Sequence, residues 1–498
     1  MKRFSRFVLT VFFTLLLAAC SNPEPAGIPP HLREIMETNR AIALPPFPDD
    51  FRERADVFLT QGLTREEDLR IANEKLRILF SPGQGFREIR PENRLSDSIP
   101  REDAAKDINL LFDLMKYGYA GYRYFGGDEV FIPIRNSMLE RLAKMPDTIT
   151  GMALLRDILV PGLGPVIADN HFQLHNITLW APRLSARINE EFILRKIDDG
   201  FVTTIDNIEY RFIEATFLGQ KVDGILPTLT RDGEAAFVFG HFAAWDPLGP
   251  QPMSVLLESV KTDEELSLDI RLQPMPNIVS PNRLFHQYEI NGIPVIENRH
   301  LDSTSLEAEE RIRFRKSGES LRGRPVVVLD LRGHKGGFED AMLAWIDAFT
   351  WRRPMFGQFF GEFRLRSMSN DEGRGNGPEW TSLLQSFSSK LPNESFLIVL
   401  TDGNVMSAGE ILAGLLRQFE NVIFVGTNTR GMALTVQIMR DGLPRSGINV
   451  IFGTQLNLRP DFSQFEGVGF MPDLWVPPTE SLGRVLAFIE RYGLAHER

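Results

Sequence analysis

The sequence predicts an α/β fold in which a domain built on strands buried on both faces, each leading through a turn into a helix, follows a helical region and a β-rich module. Three observations carry this. Pro325–Leu331 and Phe396–Leu400 are apolar, β-branched runs, each ending in a polar or Gly-rich turn that leads into an amphipathic stretch, the pattern of strand, turn and helix. Val422–Gly426 repeats the apolar run directly after the second amphipathic stretch. Between 192 and 272 the chain instead alternates apolar and polar residues, as in Ile208, Tyr210 and Phe212, whereas 46–162 repeats at helical spacing.

The chain has 498 residues, 43% hydrophobic and 24% charged, which is globular composition and enough length for two or three domains with cores. Its net charge is −11 and no Lys/Arg stripe is interleaved with aromatics, so nucleic acid is not an expected partner.

Residues 1–20 read as an export signal. Lys2, Arg3 and Arg6 precede the apolar run Phe7–Ala19, which is too short to cross a bilayer comfortably. Leu17-Ala18-Ala19-Cys20 resembles the lipobox of bacterial lipoproteins, which implies acylation of Cys20, the only Cys in the sequence. The competing reading is an uncleaved anchor with a buried Cys. The lipobox implies attachment to the cell envelope, and Ser21 after the Cys, in place of a retaining Asp, points to an outer membrane, facing periplasm or cell surface. Residues 21–45 begin with a Pro-, Ser- and Asn-rich stretch that suits a tether.

From 46 to 180 the expectation is a helical region. Thr64-x-x-Glu67 is a capping box ahead of Leu69, Ala72, Leu76 and Leu79; Ile108, Leu111, Phe112 and Met115 form a second stripe, and Met152, Leu155, Ile158 and Leu159 a third. Tyr117, Tyr119, Tyr122, Tyr124 and Phe125 either pack between helices or line a cleft. Asp169-Asn170-His171 and His175 then bring together two of the eight His residues. A His-x-x-x-His pair can ligate zinc from one helix face, but Phe172 stands where a metalloprotease carries its Glu, so no metal is expected. Residues 181–280 form the β-rich module, 281–480 the domain of buried strands with a further strand expected from Gly447 to Phe452, and 481–498 a terminal helix.

Within that domain, Ser407 falls at the start of a helix, where backbone amides without intrahelical partners would stabilise a developing oxyanion. Ser407-Ala408-Gly409-Glu410 is also S-x-x-E, a capping box in which the hydroxyl only accepts an amide. Gly336-Gly337, at the end of the preceding strand–turn unit, either aims an amide into a site or makes a tight turn and nothing more.

Three motifs in this order resemble the tail-specific, or C-terminal-processing, serine peptidases. Asp330-Leu331-Arg332-x-His334-x-Gly336-Gly337 resembles their D-L-R-x-N-x-G-G, Ser407-Ala408-x-Glu410 their nucleophile turn, and Gly469-Phe470-x-Pro472-Asp473 their closing G-I-x-P-D. The resemblance implies a catalytic domain built like ClpP and crotonase. It also implies a peptide or protein substrate, acyl-enzyme chemistry without cofactor, Ser407 as nucleophile, and the amides of Gly337 and Ala408 as oxyanion hole. Members with a Ser-Lys dyad carry a Lys after G-x-x-T-x-G, but here Met432 follows Gly431, and Met takes no proton. The tricorn-like branch instead implies His171 as base and Glu466 as its carboxylate, with Asp461 as the other candidate. His334 replaces the usual Asn, and the β-rich module sits in the place of a PDZ domain without a recognisable carboxylate-binding loop. A catalytically inactive relative that binds peptides or scaffolds an envelope complex is the alternative.

Overall fold

The computed structural model of the chain describes residues 94–179, 184–244, 249–279, 285–300, 307–337, 339–352, 391–456 and 466–495, with isolated positions elsewhere. The expectations placed on the export signal, Cys20, the tether, Thr64 and Asp461 lie outside the described residues.

Helices α1 (Arg101–Gly118) and α2 (Gly127–Ala143) open the described part. The stripe Ile108, Leu111, Phe112 and Met115 is buried, and Phe112 meets Phe131 of α2 edge to face at 6.5 Å between ring centroids. In the third stripe Leu155, Ile158 and Leu159 are buried, but Met152 is 41% exposed. The backbone widens into a π-helical turn over Leu154–Leu159, which changes the angular step on which the spacing argument rests. The helices end at Leu163, and β1 (Gln173–Leu174) and β2 (Ile177–Thr178) form a hairpin whose turn is His175-Asn176, both at positive φ.

The β-rich module contains β3 (Leu184–Ile197), β4 (Gly200–Ile205), β5 (Ile208–Phe217), β6 (Gln220–Val222), β7 (Ile225–Leu229), β8 (Ala235–Ala244), β9 (Gln251–Ser259) and β10 (Glu265–Pro274). They pair antiparallel in the order β10-β9-β5-β4-β3-β8-β7, with β6 on β5. The β10 strand also returns to β3 through Gln273 opposite Ile188 and Pro274 opposite Arg187, so five strands close into a barrel. Alternation fills its interior: Met253, Val255 and Leu257 are buried while Pro252 and Ser254 face out.

The parallel-sheet domain follows. Strands β11 (Phe285–Ile290) and β12 (Ile293–Asn298) form a hairpin and α3 (Glu307–Leu321) precedes β13 (Val326–Asp330), α4 (Glu339–Thr350), β14 (Phe396–Thr401), α5 (Ala408–Leu416) and β15 (Val422–Gly426). Then come β16 (Thr435–Gly442), β17 (Asn449–Leu456), β18 (Leu474–Trp475) and α6 (Ser481–Arg491). The central sheet runs β11-β12-β13-β14-β15-β18, parallel from β12 onward. Every residue of β13, β14 and β15 is buried, which is why these strands read as unbroken apolar runs. On one face α3, α4 and α5 cover the sheet, with Trp345 stacked between Phe314 and Phe349; on the other, Phe488 and Ile489 of α6 pack over Phe396 and Ile423. A second sheet, β16-β17-β1-β2, joins the helical region to this domain. The β17 strand starts at Asn449 and not at the expected Gly447, because Gly447 occupies a turn with φ +74°.

Candidate active site

Register places Asp330 of β13 opposite Leu400 of β14, so the turns that leave these two strands lie side by side at their carboxyl ends. Polar side chains tie the turns together. Asp330 is buried between Arg299 and Arg332, accepting from Arg299 Nη1 and Nη2 at 2.9 Å each and from Arg332 Nη2 at 2.6 Å. These partners hold its carboxyl below the usual range although burial opposes them. Asp402, in the second turn, accepts the Gly333 amide of the first at 2.8 Å, and Met406 N–H donates to the His334 carbonyl at 3.0 Å.

Ser407 stands at the end of the second turn with φ +53° and ψ −123°, a backbone conformation that side chains other than Gly rarely adopt. It is half-buried, and its hydroxyl makes no capping hydrogen bond, so the capping alternative for this hydroxyl is not realised. Glu410 instead aims its carboxylate at the next loop, accepting Gly431 N–H at 2.6 Å and Met432 N–H at 2.8 Å. The Ala408 amide, first in α5, is taken by no carbonyl among the described residues. Gly336, at φ +91°, presses against the serine: a Cβ there would stand 2.9 Å from Ser407 Cβ. Gly337, at φ +127°, is exposed beside it.

His171 approaches from the turn before β1, buried to 4% exposure. Asp169 fixes that turn: its Oδ1 accepts the His171 backbone N–H at 2.9 Å, while its Oδ2 accepts Tyr119 Oη and Thr435 Oγ1 at 2.8 Å each. Burial pushes the imidazole below its ordinary 6.5, opposed by the negative Asp169 and by a hydrogen bond to the Thr435 backbone. Glu466 accepts Asn170 N–H at 2.8 Å through Oε1, and Ala433 and Leu434 N–H at 3.0 and 2.9 Å through Oε2. Its carboxyl is pushed up to about 8, by burial first and then by Asp169. Glu410 is pushed up to about 7 by burial, against hydrogen bonds from Thr429, Gly431, Met432 and Ser407 that favour its charged form.

Ser407 and His171 thus flank one loop, 430–435, whose four consecutive amides from Gly431 to Leu434 are held by Glu410 and Glu466. No hydrogen bond joins Ser407 to His171 directly, and Glu466 holds the backbone next to His171, not its ring. His175 lies in the β1–β2 hairpin turn, where its own N–H donates to the Asn449 carbonyl at 2.7 Å, so the two His do not share a helix face. Among the described residues no three His, Cys, Asp or Glu side chains converge as a metal site.

The sequence did not signal three supporting residues: Tyr119, Asp402 and Thr435. Tyr119 was visible only as one member of an aromatic cluster. It packs between Phe172 and Phe452 and presents its hydroxyl to Asp169, a meeting of residues 50 positions apart.

Residues 300–476, which contain the Gly pair, Ser407 and Glu466, match the sequence model of Peptidase family S41. No curated protein matches the chain in sequence. Among solved structures, the chain is similar to an S499A mutant of CPAF (12% identity, 79% of this chain and 97% of that one, TM-score 0.40). It is also similar to the photosystem II D1 C-terminal processing protease (14%, 77% and 97%, TM-score 0.35) and to the tricorn protease (15%, 79% and 37%, TM-score 0.35). The match over residues 300–476 supports membership of peptidase family S41, the tail-specific serine peptidases.

Proposed function

We propose that this serine peptidase is an exported, lipid-anchored endopeptidase that cuts peptides or unfolded proteins through an acyl-enzyme on Ser407. The observation that carries the reading is the strained backbone of Ser407, whose hydroxyl is not spent on capping and which lies against Gly336. Ser407 Oγ attacks the scissile carbonyl as its proton passes to His171. The oxyanion is held by the Ala408 and Gly337 amides. Collapse breaks the C–N bond, His171 returns the proton to the leaving amine, and water then cleaves the ester by the same route. Glu466 and Asp169 keep the His171 turn in place through its backbone amides, and the negative Asp169 favours the imidazolium that forms.

Fluorophosphonate labelling tests this. The folded wild type should be labelled at Ser407, and Ser407→Ala should lose both label and peptide hydrolysis. His171→Ala should lower turnover by several orders of magnitude, whereas His175→Ala should not. A folded wild type that resists the reagent would leave the inactive, peptide-binding alternative standing.

The anchor rests on Leu17-Ala18-Ala19-Cys20 behind an apolar export core. Radiolabelled palmitate should enter the wild type and not Cys20→Ala, and the labelled protein should fractionate with the outer membrane of the envelope. Equal labelling of both chains would remove the lipoprotein assignment.

A further inference from the structure

We propose that His334 is a positioning residue that holds the Gly336-Gly337 turn against Ser407, its Nδ1 accepting the Gly336 amide where the family's Asn would use its carboxamide oxygen. The inference rests on the reading of Gly337 as an oxyanion donor.

The geometry is a side chain that accepts the N–H two residues ahead. Gly336 N–H donates to His334 Nδ1 at 3.0 Å. The same arrangement recurs three times around the site with carboxylates: Asp169 with His171 N–H, Asp330 with Arg332 N–H and Asp402 with Asn404 N–H, at 2.9, 3.0 and 3.0 Å. All four are Asx-type turns, in which a side-chain acceptor stands in for a backbone carbonyl. Nδ1 of His and Oδ1 of Asn branch from Cγ at the same distance along the side chain, so an imidazole fills this role when Nδ1 is unprotonated.

His334 is buried to 0% exposure and touches both sides of the nucleophile. Its carbonyl accepts Met406 N–H, and its ring lies on Gly409 in the first turn of α5, where a Cβ would come 2.5 Å from Nδ1. Gly409 therefore makes room for a ring larger than an Asn carboxamide. The imidazole wedges between the Gly turn and the helix that starts at Ser407, and it sets their separation. Burial first, with the nearby His300 and Arg299, pushes its pKa down to about 3, so it stays neutral at working pH and its proton resides on Nε2. With Nδ1 accepting from Gly336 and Nε2 protonated, His334 has no free lone pair to act as base for Ser407.

The test compares His334→Leu and His334→Asn in the full-length protein, after labelling of wild-type Ser407 has been established. If the wild type is not labelled, the nucleophile reading fails; the His334 variants test only the positioning role. Binding of a peptide aldehyde, which forms a hemiacetal oxyanion on the serine, is measured beside KM, kcat and the pH profile. His334→Leu should weaken aldehyde binding and kcat about tenfold to a hundredfold with KM within about twofold, less than outright loss of an oxyanion donor costs, because the Gly337 amide is misplaced and not removed. His334→Asn should return both to within about threefold of wild type, with the acid limb of kcat/KM unmoved. An Asn variant as impaired as Leu, a Leu variant with normal aldehyde binding, or disappearance of the acid limb in His334→Asn would each overturn the proposal. Should His334→Leu fail to fold, the Asn variant decides: near-wild-type aldehyde affinity supports the role and its loss refutes it.

Discussion

Ser407, the proposed nucleophile, carries backbone strain. At φ +53° and ψ −123° its Cβ is held in a region that Gly occupies freely, and no capping bond offsets the cost. The flanking contacts impose it: Met406 is fixed to the His334 carbonyl, and Glu410 and Ile411 N–H both donate to the Ser407 carbonyl, so the residue has no freedom to relax. Ser407→Gly should accordingly stabilise the protein by about 1 kcal/mol while abolishing hydrolysis, a stability–function exchange read as a higher denaturation midpoint at unchanged m-value. Ser407→Ala, which keeps the Cβ and loses no cap, should leave the midpoint within about 0.5 kcal/mol of wild type. A midpoint that falls in the Gly variant would show that the hydroxyl stabilises the fold after all.

At the scale of elements, the loop between β15 and β16 is where two carboxylates from distant positions meet. Glu410 comes from α5 and Glu466 from the segment before β18, and together they take the amides of Gly431, Met432, Ala433 and Leu434. Both carboxyls are raised above their ordinary 4.5, to about 7 and about 8, chiefly because burial penalises the charge. The native state then holds protons that the unfolded chain releases above 4.5, so their contribution is greatest in acid and is lost as pH rises through 7 and 8. The buried imidazoles of His171 and His334, lowered from 6.5, oppose this only below that value. Between pH 6.5 and about 8 the melting temperature should therefore fall, and Glu466→Gln should flatten the fall. A melting temperature that rises over this interval would reverse the assignment of these groups as native-state protonated. The elements that present these residues were legible in the sequence because their signals are local: β13, β14 and β15 are apolar runs, and α5 is a stripe with Leu412, Leu415 and Leu416 buried. What the local pattern does not contain is the partner. Glu410 read as half of a capping box because its spacing from Ser407 fits one, and only the approach of the 430–435 loop, set by sheet packing, shows where most of its hydrogen bonds go.

For the whole molecule, the question is what makes the β-barrel module part of the peptidase and not an appended bead. Its outer face continues the core of the parallel-sheet domain: Leu229 and Ala235 pack with Val295, Leu474 and Phe488, while Phe242 meets the Trp475 ring at 5.7 Å. Polar contacts seal the same seam. Thr228 Oγ1 donates to the Trp475 carbonyl at 2.7 Å, and the buried Arg484 of α6 donates to the Leu229 carbonyl and pairs with Glu190 of β3. Such a seam, apolar at its centre and closed by a buried guanidinium, makes separate melting of the two parts costly, since opening it would expose apolar surface and strand Arg484. Gly233 is the tightest point: in the turn between β7 and β8, at φ +79°, it lies directly on the backbone of Ala487 and Phe488, leaving no room for a Cβ. Gly233→Ala should push that turn off α6, at a cost of about 2 kcal/mol or more from the left-handed backbone and the clash together. Since the turn lies on the seam and outside both the barrel interior and the Ser407 turns, the expected outcome is a wild-type unfolding transition that splits into two, with the lower step assigned to the barrel. One sharp transition at the wild-type temperature would mean that the module and the catalytic domain do not depend on this contact to unfold as one.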